Sequence, residues 1–179
     1  MINKKIVITG GPGTGKSSIV HYLESQGHHC LHEISRQITL EAQQQGIEQL
    51  FLEQPLLFSE KLLEARINQH QEAKALSKDL IFLDRGIPDV VAYMDYFGTP
   101  YPSEFTNACK NHEYDKIFLL PPWKEIYISD NERYESFEQA LVIHEHLKNA
   151  YITYGYEPIE VPTGPVIDRS RFIINSLDG

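Results

Sequence analysis

Cysteine is scarce: only Cys30 and Cys109 occur in 179 residues. They lie far apart and without metal-ligand spacing, which argues against a disulfide scaffold or zinc module and for two reduced core thiols. An excess of positive charge is also missing, because 16 Lys and Arg face 25 Asp and Glu, for a net charge of −9. A duplex or an RNA needs a basic surplus to displace counterions, so no nucleic-acid partner is expected. No apolar run approaches the length of a membrane span. The N-terminal "MINKKIVI" runs directly into a strand-like segment with no signal peptide, and a cytoplasmic location is the expectation. The eight histidines show no zinc pattern. His28, His29 and His32 bracket one probable strand, and His144 and His146, two apart on a probable helix, face different ways. They read as surface and packing histidines.

What is present is a regular alternation. With 41% apolar residues the chain can bury a real core. Its length is most economically one domain over residues 1–179. Five short apolar runs stand out: "KIVIT" (5–9), "HHCLHE" (28–33), "DLIFLD" (79–84), "DKIFLL" (115–120) and "EPIEVP" (157–162). Helical stretches separate them. "SSIVHYLESQG" closes on Gly27, a helix-ending glycine, and 55–77 reads as one long helix with Leu56, Leu63 and Ile67 at helical spacing beside Phe58 and Leu62. A further helix is expected over about 135–153, and a last one with Pro165 near its first turn. Runs apolar on both faces and separated by helices imply a buried parallel sheet in a doubly wound α/β domain. "PPWKEIYISDNERYES" (121–136) interrupts the pattern with two prolines and then charge, as expected of a lid-like excursion.

The first βα junction carries the chemistry. Gly10, Gly11, Pro12, Gly13, Thr14, Gly15, Lys16, Ser17 and Ser18 contain G-x-x-x-x-G-K-S, the P-loop pattern, between an apolar strand and a helix. A glycine-rich turn lets backbone N–H groups form a nest around phosphate oxygens. Lys16 adds a cation for the β and γ phosphates of ATP or GTP. Ser17 opens a helix whose N-terminal dipole favours the same anion, and its hydroxyl suits Mg²⁺. Asp84, ending the run "LIFLD", is the expected second metal ligand, acting through a bound water, and Arg85 follows as a phosphate or substrate contact. Glu33 ends the second strand, where a carboxylate would repel a triphosphate but could accept the proton of an acceptor hydroxyl; a helix-start acid is the plainer alternative. Arg36 could pair with Glu33 or read a substrate anion. Arg133 and Lys124 are candidates to reach the γ phosphate from the lid, against a solvated charge run. The loop "EVPTGP" would border the base.

The segments "GGPGTGKSS", "HEISRQ", "LDRGIPDVVAYMDYFG", "LPPW", "YISDNERYESFEQA" and "GYEPIEVP" together resemble the NadR-like P-loop ATPase and kinase family, which includes ribosylnicotinamide kinase domains and many proteins labelled AAA-family ATPases. The resemblance covers nearly the whole chain. It implies a three-layer α/β/α P-loop NTPase domain of nucleoside- and nucleotide-kinase type, with a five-stranded parallel sheet of order 2-3-1-4-5 and a short lid. It also implies a DR pair after the third strand, here Asp84 and Arg85, and an acid after the second, here Glu33. No adenylyltransferase domain accompanies the chain, and a ring-forming AAA+ reading fits poorly because Arg85 stands where a second acid would follow Asp84. The expected activity is Mg²⁺-dependent phosphoryl transfer from a nucleoside triphosphate to a small hydroxylated metabolite or nucleoside. The alternative is a nucleotide-gated regulatory protein.

Overall fold

The computed structural model describes residues 3–127 and 135–178. In chain order the elements are β1 (Lys4–Gly10), α1 (Lys16–Ser25), β2 (His29–Leu31), α2 (Ser35–Gln44), α3 (Leu50–Glu53), α4 (Pro55–Ala75), β3 (Leu80–Asp84), α5 (Pro88–Phe97), α6 (Ser103–Asn111), β4 (Lys116–Leu120), α7 (Phe137–Thr153), β5 (Ile159–Glu160) and α8 (Val166–Leu177). The strands pair in the order β2-β3-β1-β4-β5, all parallel, as the family resemblance implies.

Alternation along the central strands sorts the core into two layers. Ile6, Ile8, Phe82, Phe118 and Leu120 point to one face, where Ile19, Val20 and Leu23 of α1 and Ile173 of α8 cover them. Val7, Leu83, Ile117 and Leu119 point to the other, against α4, α5 and α7. A strand buried on both faces has no room for polar alternation, which is why these segments read as continuous apolar runs. Parallel pairing aligns Ile8 with Asp84 and Gly10 with Leu120, so the strand ends that carry chemistry emerge at one edge.

Several helix ends follow local rules. At the end of α1, His28 N–H donates to the Leu23 carbonyl and Gly27 N–H to that of Glu24, while Gly27 takes a φ of +91°. This is a Schellman closure, for which glycine has no Cβ penalty. Ser136 caps α7 with a reciprocal box to Gln139. Pro55 starts α4 and Pro165 immediately precedes α8. The long helix departs from expectation in its buried face, which is Leu62, Leu63, Arg66, His70 and Ala73, with Leu56 exposed. β5 is only two residues long. Both cysteines are buried free thiols, and burial pushes each up to about 12. Among the described residues no helix is long and apolar enough to cross a membrane.

Candidate active site

The loop from Gly10 to Gly15 joins β1 to α1 and turns back over the sheet edge. Gly15 precedes α1 at a φ of +81°, and a Cβ there would stand 2.9 Å from the Arg169 guanidinium. The left-handed backbone therefore favours glycine, and a Cβ would also push the Arg169 guanidinium aside. Arg169 donates through Nη1 to the Thr14 carbonyl at 2.8 Å and stacks over the Trp123 ring, with its guanidinium carbon 5.6 Å from the ring centroid. The C-terminal helix thus braces the loop from behind. Ser17 and Ser18 are exposed in the first turn of α1, with their hydroxyls at the helix N-terminus. Lys16 in the same turn is buried.

The Lys16 ammonium is ion-paired to Asp84 at the end of β3. Burial pushes Lys16 below its ordinary value and Arg85 pushes it the same way, while Asp84 and Glu33 pull it back up. A cation held in this balance is poised to take a stronger anion, and a polyphosphate is one. Asp84 is itself buried at 3% exposure. Asp84 and the Ser17 hydroxyl are hard oxygen donors of the kind Mg²⁺ accepts while keeping several waters.

Beyond Asp84 the chain makes an unusual turn. Arg85 is the non-glycine residue with positive φ, at 77°, among the described residues. Left-handed backbone costs an arginine roughly 1–2 kcal/mol, so the surroundings must hold it. They do. Its N–H donates to the Ile8 carbonyl at 3.0 Å, its Nη1 meets Asp89 Oδ2 at 2.8 Å, and its Nε meets Glu33 Oε2 at 2.7 Å. Asp89, in the first turn of α5, also accepts hydrogen bonds from Thr9 Oγ1 at 2.6 Å, Tyr151 OH at 2.5 Å and the Gly86 N–H at 3.2 Å. A Cβ on Gly86 would lie 2.7 Å from that tyrosine oxygen, so the turn closes only on glycine. Burial favours loss of the guanidinium charge on Arg85, but Tyr93, Glu33 and Asp89 outweigh it and keep the group charged.

Glu33 is where the two halves of the site meet. Its Oε1 accepts from the Ile34 and Ser35 N–H groups at 3.0 Å each and from Arg66 Nη2 at 3.1 Å. Burial pushes this carboxyl up, yet Arg66, Arg85 and Lys16 together hold it far below the usual carboxylate range. It is therefore both a helix-start acid and a member of a buried charge cluster. Arg36 lies exposed one residue into α2, and the arginines seen on Glu33 are Arg66 and Arg85. Lys124 is exposed, and Arg133 lies outside the described residues, so the contact expected of it belongs to the sequence reading alone.

Beside this cluster opens a cavity of about 310 Å³. Phe51, Phe58, Tyr93 and Phe97 give it aromatic walls, and Arg66, Arg85 and Asp89 bring charge to it. Sequence reasoning missed Arg66, Asp89, Tyr151 and Arg169. For Arg66 a signal was available: it is a charge in the apolar stripe of a long helix, between Leu62, Leu63 and Ala73. Asp89 and Tyr151 carry no local mark, because the hydrogen bond that joins them spans 62 residues of chain.

The sequence matches the model of a protein family described as "AAA domain" over residues 5–169. No curated protein matches it. Among solved structures, deoxyadenosine kinase from M. mycoides with products dCMP and dCDP is similar at 19% identity and a TM-score of 0.71, over 97% of this chain and 98% of that one. NadR in complex with NR is similar at 16% identity and a TM-score of 0.76, over 98% of this chain but 50% of that one. NadR in complex with NAD and AMP-PNP gives 17% identity and a TM-score of 0.72, over 98% and 49%. At these identities the likeness is one of fold, and it is the P-loop kinase fold that the sheet order and first βα junction describe. Because the family model spans nearly the whole sheet, from β1 into α8, the chain belongs to the AAA-domain family of P-loop proteins.

Proposed function

We propose that the protein is a kinase that transfers the γ-phosphoryl group of a nucleoside triphosphate, ATP or GTP, to a hydroxyl of a small ring-bearing acceptor. The cavity carries this reading. A protein that only senses a nucleotide has no use for a second, aromatic-walled recess of about 310 Å³ adjoining its metal carboxylate through Arg85. Four aromatic rings suit a planar ring, and two arginines with Asp89 suit a hydroxylated sugar or its phosphate. A nucleoside has both parts.

In this reading the backbone amides of Gly10–Ser18 and the Lys16 ammonium hold the β and γ phosphates. Ser17 and Asp84, the latter through water, would hold Mg²⁺, which neutralises phosphate charge when bound. Lys16 exchanges Asp84 for phosphate as the nucleotide arrives. Glu33, kept ionised by its arginines, orients the acceptor hydroxyl in line with the γ phosphorus. The acceptor oxygen bonds to phosphorus, the bond to the β-phosphate bridging oxygen breaks, and the hydroxyl proton passes to Glu33 and on to solvent. A weakly basic carboxylate suffices because the loose transition state releases that proton late. Arg85, which lines the cavity, would contact the acceptor.

The test is a screen of candidate acceptors by release of nucleoside diphosphate, with Mg²⁺ and ATP or GTP. Deoxyadenosine and NR come first, since similar solved structures are a deoxyadenosine kinase and a NadR in complex with NR. One acceptor is expected to raise release by at least about a hundredfold over water, the scale of a positioned acid–base group. If the nucleotide binds and no nucleoside, vitamin or sugar raises release, the kinase reading falls and a nucleotide-gated regulatory role replaces it.

A further inference from the structure

On an exposed flank of α1, beside the end of β2, three side chains from two elements converge. His21 and Glu24 are three residues apart on the helix and so share one exposed face. His32, one residue past the end of β2, comes up beside them. Its Nε2 lies 3.0 Å from Glu24 Oε1, and its ring centroid is 5.3 Å from that of His21, with the planes tilted by 33°. One ligand atom from each of the three residues lies within 4.8 Å of the other two. Ligands of one ion at about 2.1 Å stand roughly 3.4 Å apart, so a small rotation of exposed imidazoles closes the set.

We propose that His21, Glu24 and His32 form a binding site for a divalent transition-metal ion of the zinc class, separate from the phosphate loop and the aromatic cavity. Two imidazoles and one carboxylate select Zn²⁺, Ni²⁺, Co²⁺ or Cu²⁺ over Mg²⁺ or Ca²⁺, which prefer all-oxygen shells. Exposure leaves the remaining coordination positions to water, as in an open rather than a closed structural site. Sequence spacing conceals the site because the third ligand follows the second by eight residues and an intervening strand. The bound ion ties the end of β2 to α1. It thereby fixes the segment whose next residue is Glu33 to the helix whose first residue is Lys16.

The experiment uses the full chain without an affinity tag, freed of metal, and titrated calorimetrically with ZnCl₂. One ion per chain is expected, with a dissociation constant on the order of micromolar, unaffected by millimolar MgCl₂. His21→Gln, Glu24→Gln and His32→Gln should each weaken binding by at least about tenfold. All three are surface positions, so the metal-free variants should melt with the parent. Electron paramagnetic resonance of the Cu²⁺-loaded parent should show two imidazole nitrogens, and His32→Gln one. Absence of binding below about 100 µM overturns the proposal. So does binding that survives the three substitutions, which would move the site to the His70–His112 pair, whose rings lie 5.1 Å apart.

Discussion

The two halves of the site are built in opposite ways. The phosphate half is contiguous: Gly10 through Ser18 form one loop and one helix turn, and Asp84 is its main side-chain contribution from elsewhere. The half around the cavity is dispersed. Glu33, Arg66, the Arg85–Asp89 turn and Tyr151 come from four separate places along the chain and form one charge network. The first half offers backbone donors and a single lysine to an anion that brings its own charge. The second supplies both signs of charge itself, already neutralised, and leaves a recess beside them. A phosphate nest can be made by local sequence because its donors are main-chain groups. A cavity that recognises a side group has to be enclosed, and enclosure needs several elements.

That contrast predicts separable losses. The largest is expected at the point where the halves meet. Glu33→Gln keeps shape and hydrogen-bonding capacity but removes the charge that Arg66 and Arg85 share, so acceptor-dependent turnover should drop by roughly 10²–10⁴-fold. Titration with the nucleotide should give an affinity equal to or slightly better than the parent's, because a negative charge near the triphosphate has gone. Equal losses in turnover and nucleotide affinity would show that the two halves are one unit.

Lys16→Ala probes the other half. At a nucleotide concentration a hundred times its dissociation constant, the parent gains about 2.7 kcal/mol. For a chain of this size that is roughly 5–10 °C in Tm. The variant should lose most of that shift. It should also be less stable without nucleotide, by about 3 kcal/mol, because Asp84 is left buried without its ion-pair partner. Lys16→Ala with Asp84→Asn should recover part of that cost. A lysine that served phosphate alone would leave the nucleotide-free Tm untouched, and scanning calorimetry distinguishes the two.

The smallest effect is on acid stability. The Glu33 carboxyl lies far below its usual range when folded, so below an unfolded value of about 4.3 the unfolded chain takes up a proton that the folded chain refuses. The stability that Glu33 contributes is thus full above that pH and is lost progressively as the pH falls below it. Tm measured from pH 5 to 3 should fall more steeply in the parent than in Glu33→Gln. Parallel curves would mean that the arginines do not hold Glu33 as the geometry indicates.

Legibility follows the same division. The strand runs were readable because parallel strands covered on both faces must be apolar throughout, and the P-loop because its residues are adjacent. The Schellman glycine at Gly27 and the start of α4 at Pro55 were readable for the same local reason. Glu33 could be placed at a strand end, but not between two arginines, since Arg66 arrives from a helix 33 residues later. Of the α4 residues read as its apolar face, Leu62 and Leu63 are buried and Leu56 is exposed, whereas packing turns Arg66 and His70 inward to meet Glu33 and the Glu113 carbonyl.

By itself, then, the sequence determined the five strand runs, the helices α1, α4, α7 and α8, the phosphate loop and the residues at the strand ends, because each depends on periodicity or on neighbours a few positions away. Tertiary structure alone decided what surrounds them. The contacts between Arg169 and Thr14, Tyr151 and Asp89, and His21 and His32 all cross between elements. Charge and hydrogen-bond energies depend on distance and burial, and neither is defined until the sheet has brought those elements together.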